Sequence, residues 1–181
     1  MTIYSGHITG DLILKKGDDA SRVTSVCGSV DASENAQLDL SACTSVGGSV
    51  DARPGAQLDL SACTSVGGHD LPDPETARAR LVAVAQAALA SPEALVMDKW
   101  HNQSGGCGTA HCIAGWAVHL AGPEGYALER EVSQPAAGNV LLGLEASRLF
   151  FLDNDAARSA PHRVLNGEPA LPGQTLQHEG K

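Results

Sequence analysis

Ser41-Ala-Cys-Thr-Ser-Val-Gly-Gly-Ser-Val-Asp-Ala-Arg-Pro-Gly-Ala-Gln-Leu-Asp-Leu60 decides the architecture, because it is one copy of a repeat. The preceding stretch, Ser21 to Leu40, agrees with it at 14 of 20 positions, and Ser61 to Gly68 reproduces Ser41 to Gly48 unchanged. A degenerate earlier copy runs from Ile8 to Leu14, with Ile8, Gly10 and Leu12 standing where Val26, Gly28 and Val30 stand later. Within each copy apolar residues alternate with period two, as strands require. Val26, Gly28, Val30 and Ala32 share one face; Ala36, Leu38 and Leu40 share another. Turn-forming pairs, Glu34-Asn35 and Pro54-Gly55, separate the two segments. Short strands and turns repeating every 20 residues describe a β-solenoid coil. About three to four coils at the ~4.8 Å strand spacing give a stub ~15–19 Å long.

The expected inward ladders are Val26/Val46/Val66, Val30/Val50, Leu38/Leu58 and Leu40/Leu60. Cys43 and Cys63 follow Val23 on one rung. They read as small buried hydrophobes, with a redox pair or metal ligands as the alternative. Asp31/Asp51 and Asp39/Asp59 read as solvated acidic columns, with bound calcium as the alternative. An open solenoid end exposes unpaired edges, so the helices downstream are expected to cap the last coil. The first coil edge, Ile8 to Leu14, is expected to support self-association.

The period breaks at His69-Asp-Leu-Pro-Asp-Pro74 and helical spacing follows. Asp73 suits an N-cap with Pro74 at the first helical position, and apolar residues recur through Ala90. A short helix is expected from Ser91-Pro92-Glu93 through about Met97, then a loop over 102–106. A third helix is expected over 110–121, capped by Thr109 and stopped by Gly122-Pro123. Shorter helices are expected near 123–131, 135–143 and 145–151. The chain thus divides into a solenoid (1–72), a helical domain (73–165) and an irregular tail (166–181). The fold class is α+β, a short β-solenoid capped by a small all-α domain.

Composition narrows function. Twelve basic against 21 acidic residues leave a formal charge of −9, too few cations to hold nucleic acid through its phosphates. No run approaches the ~18–20 apolar residues of a membrane span, and the N-terminus lacks a secretory pattern. Five cysteines, an odd number, fit reduced thiols and a cytoplasmic setting.

The chemistry concentrates in Trp100-His101-Asn-Gln-Ser-Gly-Gly-Cys107-Gly-Thr-Ala-His111-Cys112-Ile-Ala-Gly-Trp116-Ala-Val-His119. Three readings stand. Cys112 or Cys107 can be a nucleophile, its thiolate favoured by a helix N-terminus, with His119, or His162 with Asn166, as base. His101, Cys107, His111 and Cys112 carry zinc-ligand chemistry. Alternatively Cys112, Trp116 and His119 lie on one helix face and pack with Trp100 as a structural cluster.

Gln103, the glycine-rich lead-in and the cysteine before a helix resemble papain-like and bacteriocin-processing cysteine peptidases, which implies a thiol hydrolase or transferase. The longer run from Trp100 through Cys107, His111-Cys112-x-Ala-Gly-Trp116 and His119 to Glu129 is similar to uncharacterised phage and bacterial proteins. These combine Thr-Ser-Val-Gly-Gly repeats with such a helical segment, and the resemblance spans most of 21–151. It implies the two-part architecture and a phage-derived modulator of a host protein, with no activity attached. The leading functional expectation is a protein-binding module; the alternatives are a cysteine-dependent enzyme and a zinc-stabilised binding domain. The expected partner is a protein, including a second copy of the chain.

Overall fold

Valine, leucine and alanine on alternating positions, repeated every 20 residues, stack into parallel sheets in the computed structural model, which describes residues 1–98, 100–102 and 110–172. Each coil visits up to three sheets. The first holds β1 (Ile3–Ile8), β3 (Asp19–Val26), β6 (Ser45–Val46), β9 (Ser65–Val66) and β10 (His69–Asp70). The second holds β2 (Leu12–Leu14), β4 (Val30–Ala32) and β7 (Val50–Ala52); the third, β5 (Gln37–Asp39) and β8 (Gln57–Asp59). Register follows the repeat: Val30 lies on Val50, Leu38 on Leu58, and Ser45 on Ser65.

The inward ladders form the solenoid core, with Val26, Val30, Leu40, Val46, Val50 and Val66 all buried. Cys43 and Cys63 are buried free thiols on their common rung, each donating to the carbonyl of the serine two residues on, at 3.4 Å. Asp19, Asp39 and Asp59 accept from the backbone N–H of Ser21, Ser41 and Ser61 at 2.9–3.1 Å. The acidic column therefore has a local task, turning the chain at each corner.

The first coil differs from its successors. Ile8 pairs with Val26, 18 residues on, and the third side is a turn through Lys15, Lys16 and Gly17. Larger residues fill this end: Leu12 and Leu14 stand over Val30 and Ala32 and are themselves buried. The register of β1 shifts twice, which twists this edge strand away from regular pairing. Of the apolar residues expected at the exposed edge, Ile13 remains open to solvent, joined by Ile3.

The helical region comprises α1 (Pro74–Ala88), the short hairpin strands β11 (His101–Asn102) and β12 (Ala110–His111), α2 (Ile113–Leu120), α3 (Gly122–Val132), α4 (Gln134–Leu142), a 3-10 helix (Leu144–Leu149) and α5 (Asn154–Leu165). Asp73 caps α1 as expected, accepting from Thr76 N–H at 2.9 Å. Among the described residues no helix is long and apolar enough to cross a membrane.

The helices close the last coil. Ala136 and Val140 of α4 join the solenoid core, and Leu128, Val132 and Leu144 pack against it. β10 folds back antiparallel on β9 and ends the first sheet. In the second sheet, the buried Asn139 of α4 accepts the edge N–H of Val50 at 3.0 Å.

Three local expectations are corrected. Residues 92–97 are turn and extended chain, because Leu95 bridges to His111 and its neighbours bond that residue's backbone. Residues 110–112 are strand and cap rather than helix, so α2 begins at Ile113; Thr109 lies outside the described residues. A helix the sequence reading did not identify, α5, starts on the Asp153 cap and contains Pro161. The tail is irregular over its described residues and packs on the helices as far as Leu171: Arg163 donates to the carbonyl of Pro169, and Ala170 is buried.

Candidate functional site: a buried histidine cluster

His111 is held from both sides by backbone. It pairs antiparallel with His101 across the β11–β12 hairpin and exchanges backbone bonds with Ala94 and Val96 at 3.1 Å. The next residue, Cys112, adopts extended φ/ψ and caps α2, its sulfur accepting from Gly115 N–H at 3.3 Å. Gly115 is required here: a Cβ would overlap the carbonyl oxygen of Trp100. Trp116, one turn along, buries its indole and donates to the carbonyl of Ala94 at 2.9 Å.

Three histidine rings then meet. Nε2 of His101 lies 2.8 and 3.1 Å from the two carboxylate oxygens of Glu129 on α3, and its Nδ1 lies 2.9 Å from Nδ1 of His111. His111 and His119 stack at 4.7 Å between centroids, and Trp116 meets His111 edge-on at 4.8 Å. His119 Nδ1 lies 3.0 Å from the hydroxyl of Tyr126.

Proton placement follows from the partners. A carboxylate only accepts, so His101 carries hydrogen on Nε2. The Nδ1–Nδ1 contact needs a proton on one of the two rings, so His101 and His111 share one hydrogen bond. Nε2 of His111 is buried and without a hydrogen-bond partner among the described residues. Burial is the main force holding the His111 pKa down to about 4; positive charge on His119 or His101 adds to it, and the Trp100 carbonyl works against it. Burial, followed by the charge of Glu129, raises the pKa of Tyr126, so its hydroxyl keeps its proton.

The Cys112 thiol is raised to about 11, chiefly by burial, against the lowering effect of the Gly115 and Ala114 N–H groups. The expected benefit of a helix N-terminus is present but is outweighed by desolvation. Of the bases considered for it, His119 bonds Tyr126, while His162 sits exposed near the end of α5 and has no bond to the cluster among the described residues. Asn166 is the C-cap of α5.

Of the zinc ligand set, His101 and His111 converge, the Cys112 sulfur is turned into the start of α2, and Cys107 lies outside the described residues. Among the described residues no three His, Cys, Asp or Glu side chains converge as a metal site. Trp100 and Trp116 do share the helical core with Cys112. The histidines bond one another and the side chains of α3, and the Trp100 carbonyl also reaches His111. Glu129 and Tyr126 were missed as partners; three residues apart on a helix, they present one face to the rings. Comparison with protein-family models, with curated proteins and with solved structures finds no match to the chain.

Proposed function

We propose that the chain is a protein-binding module whose stacked coils act as a rigid scaffold. The observation that carries this reading is the in-register exposed ladder. Thr24, Thr44 and Thr64 form one column, with the hydroxyl of Thr44 donating to the Thr24 carbonyl at 3.2 Å and that of Thr64 to the Thr44 carbonyl at 3.4 Å. Gln37 and Gln57 form another exposed column. Such a surface presents polar groups at fixed spacing with little ordering cost on association. The histidine cluster braces the helical lid in this reading, and the Cys112 thiol serves as a helix cap.

Affinity capture from cells making the protein tests it. One protein should be retained in near-stoichiometric amount by the unaltered chain and by Cys112→Ser, and released by Thr44→Arg. Failure of the unaltered chain to retain a partner overturns the reading.

A second reading rests on the close approach of two Nδ1 atoms at His101 and His111, with Glu129 behind one ring. A carboxylate on the far nitrogen is how metal-binding histidines are commonly oriented. Zinc would then hold the hairpin to the helices. Metal analysis of purified protein decides: about one zinc per chain supports it, and less than about 0.2 removes it.

A further inference from the structure

The three sheets end differently where the helices meet them. The first is closed by β10 and the second by Asn139 on Val50. The third is not closed by any described residue. Gln57 N–H donates to the Ala36 carbonyl and the Asp59 carbonyl accepts from Leu40, so these groups of β8 face β5. Strand alternation turns the N–H and C=O of Leu58 the opposite way, toward the helices. The same alternation aims Val50 N–H at Asn139 in the neighbouring sheet, where the bond is formed. Leu58 is half-buried, whereas Leu38, one coil earlier, is buried.

The open edge borders a cleft of about 680 Å³ between the last coil and the helices. Its apolar wall includes Leu60, Leu71, Leu81 and Leu149. Two arginines reach it. Arg78 is committed to the Val164 carbonyl at 2.7 Å, but Arg148 has a buried Nε with no hydrogen-bond partner. Of the acids on the cleft, Asp59 is held in its turn by Ser61, and Glu145 stands beyond ion-pair distance of Arg148 while its charge still acts on that guanidinium, leaving Nε without a bond.

We propose that this cleft is a strand-addition site, taking an extended peptide segment of a partner protein that bonds the free edge of β8 at Leu58, seats an aliphatic side chain against the leucines and presents an acidic group to Arg148. The proposal rests on the protein-binding reading and adds to its exposed columns a second, pairing contact. Backbone pairing supplies affinity in this mode, and the side-chain pockets supply selectivity. The solenoid supplies the natural template, because Ala-Gln-Leu-Asp-Leu-Ser occurs at 36–41 and again at 56–61.

The probe is that hexapeptide, acetylated, amidated and fluorescently labelled, titrated against the full chain by anisotropy. Saturable binding is expected, weakened by about tenfold or more when the aspartate of the peptide is N-methylated, since stacking in the solenoid register turns that N–H toward the Leu58 carbonyl and a ladder bond is lost. Arg148→Gln should weaken the aspartate peptide and leave its asparagine analogue unchanged, a difference that misfolding would not produce. No saturation up to about 1 mM overturns the proposal. So does indifference to N-methylation, which assigns the cleft to a non-pairing apolar ligand. Displacement by a synthetic peptide of residues 173–181 at lower concentration than the unlabelled probe assigns it to the chain's own terminus, and also overturns it. If a captured partner is released by Thr44→Arg yet the hexapeptide does not bind, the cleft proposal falls and the protein-binding reading stands.

Discussion

The solenoid and the helical region bury apolar surface in a chain with only 3% aromatic residues, but by opposite means. The solenoid repeats one solution. Like residues stack on like, neighbouring coils satisfy the strand backbones, and Asp19, Asp39 and Asp59 repeat one corner turn. The helical region depends on contacts that occur once. Gly138 lets α4 approach Ala114 and Phe150, Gly115 passes beneath the Trp100 carbonyl, and a histidine is buried among other titratable rings. Repetition spreads stability over equivalent interfaces; single contacts concentrate it. The difference can be broken or sharpened by experiment.

The largest effect is expected in the ladder. Leu40 is fully buried inside the stack, whereas Leu60 is 8% exposed beside the open cleft. Leu40→Ala should cost about 4 kcal/mol and Leu60→Ala about 2 kcal/mol, read as shifts of the denaturant midpoint. Equal losses would break the comparison, because they would mean that position in the stack does not matter.

Acid should act on the other half. An unfolded histidine titrates near 6.5, while folded His111 is held down to about 4. Between those values the unfolded chain binds the extra proton, so stability rises with pH. The contribution is full above the unfolded pKa and is lost as pH falls through the window toward about 4. The whole shift corresponds to roughly 3 kcal/mol. His111→Phe should flatten the stability profile in that window; an unchanged slope would place the acid sensitivity elsewhere.

Asn139 joins the halves. Asn139→Ala leaves the Val50 N–H buried without its acceptor, at a cost of about 2 kcal/mol. It should also separate the loss of the helical circular-dichroism signal from that of the strands. A single shifted transition would show that the lid is held by apolar packing alone.

These residues also mark how far the sequence could be read. The ladder was legible because every coil repeats the evidence: Val30 over Val50 and Leu38 over Leu58 are the same inference made twice. The Asp73 cap of α1 was legible for a local reason, a carboxylate just before a proline. Asn139 carried no signal, because its partner is an N–H 89 residues away in sequence. Pro161 obscured α5, since an interior proline usually ends a helix. At the site, Cys112, Trp116 and His119 were grouped from their spacing, and both tryptophans do enter the core with Cys112. Glu129 was not recognised as a partner because a single carboxylate on an exposed-looking helix is indistinguishable from its neighbours until α3 packs beneath the rings. Arg148 and the unpaired edge at Leu58 were invisible for a related reason: a cleft belongs to two elements at once.

The smallest effect concerns Cys112, and it separates chemistry from packing. With its pKa raised to about 11, this thiol is ionised to only about a thousandth at pH 8. Exposed Cys27 should therefore alkylate with iodoacetamide while Cys112 reacts only on unfolding. Cys112→Ser keeps an acceptor for the Gly115 N–H and should change stability by less than about 1 kcal/mol, whereas Cys112→Val removes the cap and should cost about 1–2 kcal/mol. A capping thiol predicts that order because the interaction lost is one hydrogen bond at the start of α2. A nucleophile predicts something else: rapid alkylation in the folded chain, with serine as damaging to function as valine. Labelling followed by peptide mapping distinguishes the two, since the same residue is either the slow one or the fast one.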